Sequence, residues 1–161
     1  MTAAALYDAA VAFLEADVLA AVNAEQPGLL AAGSVTAARL TKNRFARRDK
    51  PHAATVEIVL FRRREETEGI GSDRVHLDFD LRCIVRRKDQ SEGKEQARTA
   101  DEIARAIVRR YRRTADLQLP VTGAALRYTD AHLLHVDDEP ASGEVTRAVT
   151  RLTLTFSEAL P

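Results

Sequence analysis

One stretch constrains the fold more than any other: RVHLDFDLRCIVR, residues 74–86, alternates apolar and polar side chains almost without a break. Val75, Leu77, Phe79, Leu81, Cys83 and Val85 fall on one side, and His76, Asp78, Asp80, Arg82 and Arg86 on the other, with Ile84 the one apolar exception. A period of two is that of a strand, and a strand with one apolar face belongs to a sheet covered on one side. Half-wet strands of this kind mark antiparallel sheets, because strands of a parallel α/β core read apolar on both faces.

The flanking sequence supplies what covers that face. In residues 3–23, Leu6, Ala10, Phe13, Leu14, Val18, Ala21 and Val22 recur at spacings of three and four, so this is an amphipathic helix stopped by Gln26, Pro27 and Gly28. Its acidic N-terminal half suits the helix dipole. A second helix carries Ala100, Ile103, Ala104, Ile107, Val108 and Tyr111 on one stripe and Arg105, Arg109, Arg110, Arg112 and Arg113 on its outer face. Thr99 and Glu102 have capping-box spacing, and Ser91 offers an earlier start.

The strands follow from the remaining apolar runs. Residues 53–62, AATVEIVLFR, are apolar at nearly every position and read as a strand covered on both sides. The charged, glycine-containing run 63–73 reads as a long mobile hairpin loop, and 86–94 as a second charged turn. Residues 124–136 read as a strand, 137–143 as a turn and 144–158 as the closing strand. Val145 and Val149 are out of phase with Leu152, Leu154 and Phe156, which calls for a bulge or bend near Thr150. A further short strand is available at 35–40. The expectation is one α+β domain over residues 1–161: an antiparallel or mixed sheet of about four strands, order αββαββ, with both helices on one face.

At 161 residues the chain buries roughly 70% of its unfolded surface, enough for a single core. The 24 basic and 24 acidic residues balance, so the whole molecule has no net attraction for nucleic acid or an acidic membrane. The charges are distributed unevenly. Residues 1–38 hold Asp8, Glu15, Asp17 and Glu25 and no Lys or Arg, whereas 39–64 hold nine basic residues against Asp49 and Glu57. An acidic element and a basic one in a neutral chain predict complementary surfaces, within the molecule or between copies. Cys83 is the single cysteine and sits in the apolar phase of its strand, so it reads as a core hydrophobe. With neither a basic leader nor an apolar span, the chain is expected to remain in the cytoplasm or in an assembly made there.

No constellation for chemistry emerges. His132 and His135 are three apart in an expected strand and point to opposite faces, so they do not share a metal. Asp78 and Asp80 share a face but alternate with His76 and Arg82, which reads as a solvated or interfacial charge ladder. The GIG at 69–71 precedes no helix, and there is no GxSxG or Walker loop. The basic run Arg44, Arg47, Arg48, Lys50 is interleaved only by Phe45, too little aromatic surface for stacking single strands. An enzyme and a bound cofactor are not expected.

The layout as a whole resembles the tail-terminator and tail-completion proteins of long-tailed bacteriophages and phage-derived particles. The resemblance rests on the Ala/Leu-rich first helix, the irregular basic segment ending near Pro51, and the hairpin whose second strand alternates strictly. It extends to the helix EQARTADEIARAIVRRY, the DDEPASG turn and the closing LTLTF. It is a match of pattern, and carries no site residues across. What it implies is a ring, commonly a hexamer, that caps the tail tube, stops its elongation and meets the head connector in the virion tail. Nucleic acid would then matter only as DNA passing through the ring. Expected contact surfaces are Asp8, Glu15 and Asp17 on the first helix and Arg44, Arg47, Arg48 and Lys50 in the basic segment. To these are added Arg63, Arg64, Glu65 and Glu66 in the first loop, Asp78 and Asp80 on the strand, and Arg86, Arg87 and Lys88 in the second turn. The alternatives are another neck or tail subunit, such as a head-closure or tube protein, and a nucleic-acid-binding α+β module using residues 44–50 and 109–113. A small-molecule enzyme of ferredoxin-like type is more remote.

Overall fold

A computed structural model describes residues 3–38, 53–86, 93–113, 117–118, 125–128, 137–139 and 144–159. The elements run α1 (Ala3–Glu25), β1 (Val35–Ala37), β2 (Ala54–Gly69), β3 (Ser72–Arg86), α2 (Gly93–Arg112), β4 (Leu117–Gln118), β5 (Ala125–Tyr128), β6 (Asp137–Glu139) and β7 (Glu144–Ala159). The class is α+β with two helices, as the sequence predicts. β1 is the further short strand available at 35–40, and two more short strands, β4 and β6, interrupt the expected order. The sheet is mixed, ordered β1-β2-β3-β7-β5-β4 with β6 also on β7, because β1 runs parallel to β2 while the other pairs are antiparallel.

The alternating strand sits at the centre, paired along its length by β2 and β7. Val75, Leu77, Phe79, Leu81, Cys83 and Val85 are all buried and join one core with Ala10, Leu14, Val18 and Val22 of α1 and Ala100, Ile103 and Ile107 of α2. Both helices therefore lie on the same face of the sheet. Tyr7 stacks on Phe79 with ring centroids 5.8 Å apart, a geometry worth roughly 0.5–1.5 kcal/mol beyond burial.

α1 extends to Glu25, two residues beyond the expected end, and Gly28 then takes φ 80° in the turn that follows. Its first turn, however, contains no acid, so Asp8 lies too far along to gain from the dipole. Asn23 fixes the return of the chain: its Nδ2 donates to the Leu30 carbonyl at 2.8 Å, and its Oδ1 accepts from the Leu30 amide at 3.0 Å. Glu15 Oε1 accepts from the Ala37 amide at 3.3 Å, which ties β1 to α1. α2 begins at Gly93, near the Ser91 start, so Thr99 and Glu102 lie inside the helix and do not form its cap.

The largest correction concerns residues 63–73. They are not a mobile loop: β2 continues to Gly69, β3 resumes at Ser72, and only Ile70 and Gly71 turn the chain. The charged sequence hid this because strands that extend past the core carry no apolar period. Gly71 adopts φ 88°, which a residue lacking Cβ enters without penalty, and Ile70 is fully exposed at the tip. A register shift at Phe61, between Leu60 and Arg62, lies where the strand leaves the core. The same departure explains why β2 is not covered on both sides throughout: Ala54, Thr55 and Val56 are buried, but Leu60 is 40% exposed.

The second charged turn is likewise shorter than expected, since Arg86 belongs to β3 and residues 93–94 to α2. Asp137–Glu139, expected in a turn, pairs with β7 instead. The bulge in β7 falls at Arg147, between Thr146 and Ala148, three residues before Thr150. It brings Val145 opposite Val85 and Leu152 opposite Phe79, which resolves the phase conflict for Val145, whereas Val149 stands opposite Arg82 and keeps the other phase. Of the expected strand 124–136, β5 accounts for Ala125–Tyr128, and residues 129–136 lie outside the described residues.

Candidate functional site

The face of the sheet opposite the helices carries a ladder of charges whose order follows from strand register. Asp80 of β3 stands directly opposite Arg151 of β7, and Asp78 opposite Thr153. The Arg151 guanidinium donates to both carboxylate oxygens of Asp80, at 2.7 and 3.2 Å. Thr153 Oγ1 donates to Asp78 Oδ1 at 2.7 Å, and Arg64 reaches the same oxygen diagonally from β2 at 3.2 Å. His76 Nδ1 lies 3.0 Å from Thr155 Oγ1, and its Nε2 is 3.7 Å from a Glu66 carboxylate oxygen.

Asp78 and Asp80 were expected on a wet face, yet they are only 5% and 4% exposed. The long arginine side chains, which bury their stems while reaching for the carboxylates, help shield them from water. Burial alone pushes the Asp78 carboxyl upward, but the hydrogen bonds from Thr153 and Arg64 outweigh it and hold the group below its ordinary value. The bidentate bond to Asp80 raises the Arg151 guanidinium further still. The Arg151 charge is therefore fixed. The face is a pre-ordered pattern of alternating charge.

The helical side has its own charge pairs. Arg110 of α2 donates to both oxygens of Asp17, at 2.8 and 3.2 Å, and Arg109 forks onto Glu25, one bond measuring 3.0 Å. That hydrogen bond lowers the Glu25 carboxyl and raises the Arg109 guanidinium. A groove of about 450 Å³ runs between the helices over Ala20, Ala21, Ala24 and Ala106, rimmed by these pairs and Arg113. The acidic first helix thus meets basic partners within the molecule at Asp17 and Glu25, on α2. Nucleic acid approaching residues 109–110 would have to compete with carboxylates already in place.

The other expected contact residues are placed as follows. Asp8 is exposed on α1, and Glu15 is taken by the Ala37 amide. Arg63 pairs with Glu65 on the exposed part of β2, while Arg64 and Glu66 join the ladder. Arg86 stands opposite Glu144 at the far end of β3. Arg44, Arg47, Arg48, Lys50, Arg87, Lys88, His132 and His135 lie outside the described residues. Arg151 and Thr153 were missed as ladder members. Their phase within RLTLTF was readable, but the register that sets them opposite Asp80 and Asp78 was not.

Among the described residues, no three His, Cys, Asp or Glu side chains gather closely enough to hold a metal ion, and no helix is long and apolar enough to cross a membrane. Neither a scan against models of protein families nor a search of curated proteins finds a match to this chain.

Proposed function

We propose that this chain is a tail terminator of a phage or phage-derived particle, assembling into a ring that caps the tail tube and meets the head connector. The observation that supports the reading is the unlikeness of the two sides of the sheet. One side is closed by two helices, and the other presents the fixed ladder Arg64, Asp78, Asp80, Arg151. A closed ring of identical subunits needs two different surfaces on each copy that fit one another. Pre-ordered charges favour register and partner choice over raw affinity, as a cap that must seat on one kind of tube end requires. The β2–β3 hairpin, with Ile70 at its tip, supplies an extension to reach the next ring down the axis.

The test is tube assembly. Tube subunits from the same particle, polymerised with the purified chain present, are expected to give shorter tubes with a ring-shaped density at one end by electron microscopy. Unchanged tube lengths and bare ends would overturn the reading. Tubes built from the chain itself would instead identify it as a tube subunit.

A further inference from the structure

We infer that the tip of the β2–β3 hairpin docks on a second copy of this chain, seating Ile70 in the groove between α1 and α2 of that copy. The inference concerns how copies meet and stands apart from the tube: the extension that would reach down the axis meets a neighbouring copy where no tube is present.

Ile70 is fully exposed at the outermost point of the hairpin, between Gly69 and Gly71. Tight turns ordinarily take polar residues or glycine and proline, and a branched apolar side chain gains nothing from standing in water. Gly71 serves the turn through its φ of 88°, since a Cβ built there would meet nothing within 4 Å. With glycine on either side, the apex is a narrow wedge bearing one apolar side chain. Such a shape is suited to entering a groove.

The groove supplies the matching hollow. Ala20, Ala21 and Ala24 of α1 and Ala106 of α2 floor it, and their small methyl groups leave about 450 Å³ between the helices. The Asp17–Arg110 and Glu25–Arg109 pairs stand at its sides, each acid matched by a base of the other helix. Entry of Ile70 therefore removes apolar surface from water in both copies and strands no charge.

Charge sets the direction of docking. Residues 65–74 of the hairpin carry Glu65, Glu66, Glu68 and Asp73 against Arg74 alone. Residues 103–113 of the receiving helix carry five arginines and no acid, and Arg113 stands on the groove rim. An acidic tip is drawn to this end of α2 and repelled by another tip. The match is one of net charge, so the Arg74–Glu68 pair stays whole in the docked state. Each copy offers one tip and one groove, a heterologous contact that closes into a ring or runs on as a chain.

Disulfide trapping in the full chain tests the contact. A tagged Ser72→Cys chain, with Ile70 intact beside the new thiol, is mixed with an untagged Ala24→Cys chain. In parallel it is mixed with an untagged Ala12→Cys chain, whose thiol is exposed on α1 outside the groove. Cys83 is buried in every copy and takes no part. On mild oxidation, cross-linking to position 24 is expected to exceed that to position 12 at least about tenfold, the factor that burial of one isoleucine side chain supplies. Adding Ile70→Asp to the tagged chain should remove that preference, and Arg113→Glu in the receiving chain should reduce it. Circular dichroism of each variant confirms that it folds. Equal yields at positions 24 and 12, or a preference that survives Ile70→Asp, would overturn the proposal.

Discussion

Arg151 and Asp80 face each other across the β3–β7 ladder, and the guanidinium spans both carboxylate oxygens at 2.7 and 3.2 Å. Asp80 is nearly inaccessible to water, whereas the Arg151 side chain is 28% exposed. The pair is therefore unequal: removing the arginine strands a buried charge, while removing the charge leaves an arginine that water still solvates.

Arg151→Met should accordingly destabilise the fold by about 2–3 kcal/mol, toward the lower end for a broken buried pair because one partner is part-solvated. Asp80→Asn should cost less. Urea unfolding of both variants checks this, and equal losses would contradict the asymmetry.

Asp78 makes stability depend on acidity. Its carboxyl is held below the usual aspartate value of about 3.9, so it stabilises the fold fully above that value. The contribution is lost as pH falls through the lower, folded-state value. Asp78→Asn should be less stable than wild type at pH 7, and the gap should narrow as pH falls below about 4. Unfolding curves between pH 7 and pH 2 measure it.

Cys83 is buried in the core, and burial pushes its thiol up to about 12. At pH 8 roughly one thiol in ten thousand is then ionised in the native state, and it has no path to solvent. Labelling by a thiol reagent should proceed only at the rate of unfolding. Rapid labelling of the native protein would contradict its place in the core.

Asn23 holds Leu30 by two hydrogen bonds, fixing the turn that delivers β1 to the sheet. Asn23→Ala should cost about 1–2 kcal/mol and lower Tm by roughly 2–8 °C for a chain of this size. A thermal melt decides the matter.

What the sequence made legible was set by periodicity. The buried side of β3 was readable residue by residue; the helix stripes were readable in part, since Val11 and Ala106 are buried without having been read and Val108 is only part-buried. Glu144–Ala159 was readable down to the need for a bulge. What escaped was the distal part of β2: Arg62 to Glu68 carry charge at six of seven positions, and a strand beyond the core offers no apolar rhythm. The ladder was half legible. Asp78 and Asp80 were visible as a same-face pair, but their burial depends on Arg151 and Arg64, which only long-range register brings near. The parallel pairing of β1 with β2 also left no mark in so short a strand.

The mass of the chain in solution, measured by light scattering over wide ranges of protein concentration and salt, tests the ring most directly. The account predicts a discrete closed species of about six 17.7 kDa subunits. A mass that stays at one or two subunits under every condition, with no ring visible by electron microscopy, would contradict it.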